Sequence, residues 1–135
     1  QDVVCAEEVS ENVTTKTKEL HYISDGDMIL DFGPESMKEI IAIIKIAGTI
    51  LWNGPLGVFE IEKFSKGTMK LAKAVASSTA FSIAGGGDTI AAINVFGVRD
   101  HIDYVSTGGG AFLEFLGGNV LPAVDVLEQR ANNCD

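Results

Sequence analysis

Apolar positions along the chain fall into alternating strand-like and helix-like spacings. Val3-Val4-Cys5-Ala6 is a short apolar run, followed by a polar, Thr-rich stretch to about Leu20. Asp25-Gly26-Asp27 predicts a turn. Met28-Ile29-Leu30-Asp31-Phe32 predicts a buried strand that carries one acid. Gly33-Pro34 then punctuates the chain, with Pro34 suited to a first helical position. Met37, Ile40, Ile41 and Ile44 recur at i, i+3, i+4 and i+7, one face of an amphipathic helix. Glu35 near its start and Lys45 near its end complement the helix dipole, and Gly48 closes it.

Thr49-Ile50-Leu51-Trp52 predicts the next strand, and Asn53-Gly54-Pro55-Leu56-Gly57 is too rich in Gly and Pro for a regular element. A second helix is expected over 68–76, with Met69, Ala72 and Ala76 on one side and lysines on the other. A strand over 79–83 runs into Ala84-Gly85-Gly86-Gly87, and a helix from Asp88 through Val95 stops at Gly97. Tyr104-Val105-Ser106 is the last strand and runs into Thr107-Gly108-Gly109-Gly110. Helices follow over 111–116 and from Leu121-Pro122 onward, the latter with Val124, Val126 and Leu127 on its apolar side. Strand then helix, four times over, predicts an α/β fold with a mostly parallel sheet. The near-continuous apolar strands predict that it is covered on both faces.

Composition narrows the partners. The 135 residues are one domain's worth of chain or part of a larger one, and the 46% apolar content can bury a core. Ten Lys and Arg stand against nineteen Asp and Glu, a formal charge of −9. Such a surface repels nucleic acid and anionic membrane. No apolar stretch reaches transmembrane length. Cys5 and Cys134 have no zinc-ligand spacing, and free thiols are favoured over a disulfide joining the two ends. The acidic beginning, QDVVCAEEVSEN, is not a signal peptide, and the absence of an initial Met suits a fragment or processed product.

The candidate chemistry lies where strands give way to helices. Ligands of open parallel sheets bind beyond the carboxyl ends of the strands. Each unusual segment sits there: Asn53 to Glu60, Gly85 to Thr89, and Thr107 to Gly110. Two glycine runs entering helices favour an anion, because helix starts offer unpaired N–H groups and glycine admits close approach. In a chain this acidic, backbone donors and a metal ion must carry much of the task of holding phosphate. Asp88 is either a helix cap or, with phosphate nearby, a magnesium ligand. Thr89 either caps or donates to phosphate. A tight connection without a ligand is the competing reading of each glycine run. Neither run matches a Walker-type phosphate loop or a strict Gly-x-Gly-x-x-Gly, so a dinucleotide-binding dehydrogenase half is poorly supported. His21 and His101 read as surface residues. Ser106 lacks a nucleophile elbow. Trp52 reads as core or as the wall of an adenine pocket, and Phe112 and Phe115 as packing residues.

Four motifs in order then resemble the C-terminal, nucleotide-binding half of phosphoglycerate kinase. They are Trp52 through Glu60 (WNGPLGVFE) with Phe64 and Gly67-Thr68; Gly85-Gly86-Gly87-Asp88-Thr89; Val105 through Ala111 (VSTGGGA); and Leu113-Glu114 with Leu121-Pro122. Met28 to Ser36 (MILDFGPES) is also similar to that family. The sequence departs from the family at Phe112, where a small residue is usual, at Gly117-Gly118-Asn119, and at Ala123.

The resemblance implies a Rossmann-like three-layer domain with a mostly parallel sheet, present here only as the C-terminal portion of a two-domain kinase. Residues 1–135 would belong to the nucleotide-binding domain, and 121–135 would be a terminal helical segment after the hinge. It implies that Asn53, Pro55, Gly57 and Val58 flank the nucleotide and that Glu60 accepts from the ribose hydroxyls. Gly86, Gly87, Asp88 and Thr89 would hold phosphates, with Asp88 on Mg²⁺. Gly108, Gly109 and Gly110 would aim amides at the transferring phosphoryl group, so that Gly87 and Gly110 are the catalytic donors. The implied reaction passes a phosphoryl group reversibly between 1,3-bisphosphoglycerate and ADP, giving 3-phosphoglycerate and ATP in glycolysis. The implied setting is a cytoplasmic, monomeric full-length protein. The phosphoglycerate would bind only with an N-terminal domain absent here, so this chain alone would not turn over. A non-catalytic nucleotide-binding or structural fragment is the alternative.

Overall fold

The structure, a computed structural model, describes residues 1–132, so the expectation for Cys134 lies outside it. Six strands form two sheets. β1 (Asp2–Ala6) is the centre of an antiparallel sheet, flanked by β2 (Lys16–Glu19) and β3 (Met28–Phe32). β4 (Thr49–Asn53), β5 (Phe81–Gly85) and β6 (Tyr104–Ser106) form a parallel sheet in that order. The helices are α1 (Pro34–Ile46), α2 (Lys66–Ala76), α3 (Gly87–Val95), α4 (Gly109–Leu116) and α5 (Pro122–Asn132). The four strand–helix units begin at β3, β4, β5 and β6, as the spacing predicts.

α1, α2 and α3 share one core with the parallel sheet. Met37 and Ile44 of α1, Leu71, Ala72 and Val75 of α2, and Ala92 and Ile93 of α3 enclose Trp52 and Ala84. Trp52 is therefore a core residue, only 4% exposed, with its indole N–H donating to the Gly54 carbonyl at 2.8 Å. The buried side of α2 is Thr68, Leu71, Ala72 and Val75, not the expected Met69, Ala72 and Ala76. The contact with β3 and α1 selects that face, and it turns Thr68 inward.

The sheet is not covered on both faces. Leu51, Ile83 and Tyr104 are in register across the three strands, and Leu51 and Tyr104 are about half exposed. Nothing among the described residues covers that face of β4. Apolar strand character thus reports what the strands can bury, not what this length of chain supplies. Similarly, Val124, Val126 and Leu127 leave the apolar side of α5 exposed, and Phe115 is exposed rather than packed.

Carboxylates from the antiparallel sheet close two helix starts. Asp2 accepts the Glu35 and Ser36 N–H groups at 3.2 and 2.7 Å at the start of α1. Asp31, alone among the apolar residues of β3, accepts the Gly67 N–H at 2.7 Å at the start of α2. Each satisfies helix donors that have no partner within the helix.

Candidate functional site

Parallel register brings the three glycine-rich segments to one edge. Asn53 pairs with Gly85, and Gly85 with Ser106, so β4, β5 and β6 end at the same level. The two triple-glycine runs leave neighbouring strands on the same side of the molecule. That is the arrangement a shared phosphate pocket requires.

The first loop, Asn53 to Glu60, is held from behind. Gly54 lies at φ +93°, where only glycine is unstrained. Its N–H donates to Thr89 Oγ1 at 2.6 Å, so the loop is fastened to the first turn of α3. Further along, Thr68 Oγ1 accepts the Leu56 N–H at 3.1 Å and the Gly57 N–H at 3.4 Å. Val58 N–H reaches back to the Leu30 carbonyl at 3.0 Å. Asn53 and Glu60 are exposed, whereas Pro55, Gly57 and Val58 are half-buried. Beside Asn53 and Gly54 opens a largely apolar cavity of about 320 Å³, walled by α1, α2 and Trp52.

The second segment turns at Gly86, which has φ +96° and is the residue preceding α3. A side chain there would meet Asn53 Oδ1 at 2.9 Å, so Gly86 and Asn53 touch across the crevice. Gly87 is exposed, and a side chain at its position would meet nothing. Asp88 is not the helix cap. Gly86 holds that place without any side-chain bond, and Asp88 is the second residue of α3, exposed in its first turn. Its carboxylate has no hydrogen-bond or ion-pair partner among the described residues. Thr89 is fully buried beneath it.

The third segment begins at Thr107. Ser106 is buried, and its hydroxyl accepts the Gly108 N–H at 3.2 Å, bending the chain into α4. The helix opens two residues earlier than the sequence suggests, because glycines 109 and 110 enter it. Gly109 has φ +55°, and positions 109 and 110 have open space around them. Phe112 does pack: a side chain on Gly85 would meet its ring at 2.5 Å, so the ring lies directly on the Gly85 backbone. A side chain at 85 would have to displace that ring.

Two residues to which the sequence assigns no role support the site. Thr68 is buried and holds the middle of the first loop. Asp31 is 1% exposed, and its Oδ1 has no hydrogen-bond partner. Burial pushes the Asp31 carboxyl above the usual carboxylate range, while the Gly67 and Phe32 amides and the Lys70 charge pull against it. The Phe32 amide acts without completing a hydrogen bond to Oδ1. A lone acid inside MILDF was the available signal. His21 and His101 are both exposed and belong to no site. No cluster of three or more His, Cys, Asp or Glu able to hold a metal occurs among the described residues. None of their helices is long and apolar enough to cross a membrane.

The fold is α/β, with glycine-rich turns and helix starts grouped at the carboxyl edge of a parallel sheet. The sequence pattern of phosphoglycerate kinase matches residues 1–119, and the chain belongs to that family. It is similar to the solved phosphoglycerate kinase of Coxiella burnetii, with 52% identity and a TM-score of 0.89 over 96% of this chain and 34% of that one. It is also similar to the phosphoglycerate kinase of Pyrococcus horikoshii OT3, with 35% identity and a TM-score of 0.79 over 94% of this chain and 31% of that one. The chain thus spans about a third of the length of these relatives.

Proposed function

We propose that the chain is the C-terminal portion of the nucleotide-binding domain of a phosphoglycerate kinase, with the described residues from 121 onward as a terminal helical segment after the hinge. In this reading it contributes the Mg-ADP and Mg-ATP site for reversible phosphoryl transfer between 1,3-bisphosphoglycerate and ADP. The observation that carries the reading is the common level of Asn53, Gly85 and Ser106, which groups the first loop and the two glycine-rich helix starts at one edge.

The first loop serves the nucleoside. Asn53, Pro55, Gly57 and Val58 flank it, and the exposed Glu60 carboxylate offers two acceptor oxygens to the ribose diol. Gly86 and Gly87 bring backbone to the phosphates, with Thr89 fixing the depth of the turn beneath them. Gly109 and Gly110 face the transferring group from the neighbouring helix start, while the N–H of Gly108, expected to do the same, is held by Ser106 Oγ. Gly87 and Gly110, with nothing over their Cα atoms, are the donors assigned to the phosphoryl oxygens. Phosphoryl transfer asks chiefly for alignment and charge neutralisation, which these amides supply without a proton-transferring side chain.

Asp88 fits a magnesium ion carried in by the nucleotide. Its carboxylate is exposed, unengaged and at the mouth of the glycine turn, and Mg²⁺ is commonly held by one carboxylate plus substrate phosphates. When bound, the ion neutralises phosphate charge that an acidic chain repels.

In this reading the phosphoglycerate binds outside the third of its relatives that the chain spans, and the chain by itself is expected not to turn over. The setting proposed for the whole protein is a cytoplasmic glycolytic monomer. Calorimetric titration with Mg-ADP tests the reading: heat is expected that vanishes in Asp88→Ala and weakens in Glu60→Ala. No binding by a chain whose circular dichroism shows an intact fold would leave a structural fragment as the answer.

A further inference from the structure

Behind the first loop, three oxygen atoms crowd together, and one of them, Asp31 Oδ1, has no hydrogen-bond partner. A side chain built on Gly57 would meet Asp31 Oδ1 at 2.5 Å, the Leu30 carbonyl oxygen at 2.6 Å and the Phe64 carbonyl oxygen at 2.6 Å. All three therefore crowd one point beside the Gly57 Cα. Asp31 Oδ2 has its partner in the Gly67 N–H, but Oδ1 has none, and the residue is 1% exposed. A buried acceptor left unpaired carries its full desolvation cost, and more when it is charged. Two carbonyl oxygens crowding the same point as an ionised oxygen add repulsion. A proton on Oδ1 would turn the same contact into attraction.

We propose that Asp31 is a positioning residue for the Asn53–Glu60 loop and that it acts as a neutral carboxylic acid, its Oδ1 hydroxyl donating to the carbonyl oxygen of Leu30 or Phe64. The acid then joins three segments: β3 by its own backbone, α2 through Gly67, and the loop through Gly57, which packs on the bonded oxygens. Val58, next in the loop, is fixed by its N–H to the same Leu30 carbonyl, which has a second lone pair free.

The charged surroundings are few. On α2, Lys66 and Lys70 line a cavity of about 250 Å³ beyond Gly67, together with Lys63 of the short turn before the helix. Of these Lys70 bears on Asp31 and favours the ionised form, but burial is the larger influence. Glu62 on that turn is exposed. From β1 the cross-strand neighbour is Val4, which carries no charge. The loop side presents Gly57. Nothing in this group completes an ion pair with Oδ1.

The role assigned to the loop rests on the nucleotide reading above, whereas the protonation state does not, and one experiment separates them. The chain is labelled with carbon-13 at aspartate carboxyls and nitrogen-15 at amides, and the Asp31 resonance is identified by its loss in Asp31→Asn. At about pH 7 the Asp31 carboxyl is expected at the shift of a protonated acid, and the Gly57 and Glu60 amides should move with it as pH is raised. Asp31→Asn can donate from the Oδ1 position and accept from Gly67, so it should leave those amides in place and independent of pH. Asp31→Leu should displace them. Mg-ADP affinity should stay within about twofold in Asp31→Asn and fall about tenfold or more in Asp31→Leu. An ionised Asp31 at neutral pH, or an Asp31→Asn that displaces Gly57, overturns the proposal, and both can be read if Asp31→Leu fails to fold. If the wild-type chain ignores Mg-ADP, the nucleotide reading falls, while the carboxyl shift and the Gly57 amide still decide the state of Asp31.

Discussion

Thr89 Oγ1 accepts the Gly54 N–H at 2.6 Å, so the loop after β4 and the helix after β5 are one unit. Thr89 is fully buried, and its loss leaves an inner donor unpaired. Thr89→Val is expected to destabilise the chain by about 1–3 kcal/mol. Thr89→Ser, which keeps the hydroxyl, should recover most of that. Urea unfolding of the two variants checks the order; a larger loss in Thr89→Ser than in Thr89→Val would mean that packing of the methyl group, not the hydrogen bond, is what matters.

Gly57 has no room for a side chain. Two of the three atoms that crowd its Cβ position are backbone oxygens, which cannot swing aside. Gly57→Ala is therefore expected to cost about 3 kcal/mol, at or above the upper end of ordinary overpacking. By contrast Gly87→Ala, with open space around it, should change stability little beyond its helix propensity. Denaturant midpoints of the two variants should differ clearly, and similar midpoints would refute the crowding.

The Gly85–Phe112 contact makes a coupled pair. Gly85→Ala alone places a methyl group 2.5 Å from the Phe112 ring and should lose about 1–3 kcal/mol. With Phe112→Ala already present, the same change should cost far less. A double-mutant cycle with no coupling would show that the ring does not rest on Gly85 in solution.

Asp103 sets part of the acid limit of stability. The Ser82 N–H and then the Ser82 hydroxyl donate to its carboxylate, at 2.8 and 2.7 Å, and hold it below the usual carboxylate range. A group lowered by folding stabilises above its unfolded value, about 3.9, and that contribution fades as pH falls through the folded value. Asp103→Asn should thus be less stable near neutral pH and lose stability less steeply below about pH 4. Unfolding curves that run parallel for both proteins across that window would count against the Ser82 assignment.

Much of this architecture was legible because apolar spacing and glycine punctuation are local. Met37, Ile40, Ile41 and Ile44 mark α1 by period alone, and Gly85-Gly86-Gly87 marks the end of β5. The three-loop edge was legible too, since equal strand ends follow from parallel pairing. β2 was not: Lys16-Thr17-Lys18-Glu19 is an exposed polar edge strand, and only its pairing with β1 makes it one. The antiparallel pairing of β1 with β3 is likewise a long-range fact, as is the face of α2 that turns Thr68 inward. Asp31 shows the limit most clearly. One acid in an apolar strand signals that something unusual is buried, but its neighbours Gly57, Phe64 and Gly67 come from elsewhere in the chain.

In the proposed function, three loops at one sheet edge hold a single magnesium-bound nucleotide. Titrating Mg-ADP into the nitrogen-15-labelled chain tests it amide by amide. The expected result is that the amides of Asn53, Glu60, Gly87, Gly108 and Gly110 shift together along one binding curve, and that all of these shifts disappear in Asp88→Ala. Shifts confined to one glycine run, or appearing unchanged without Asp88, would contradict it.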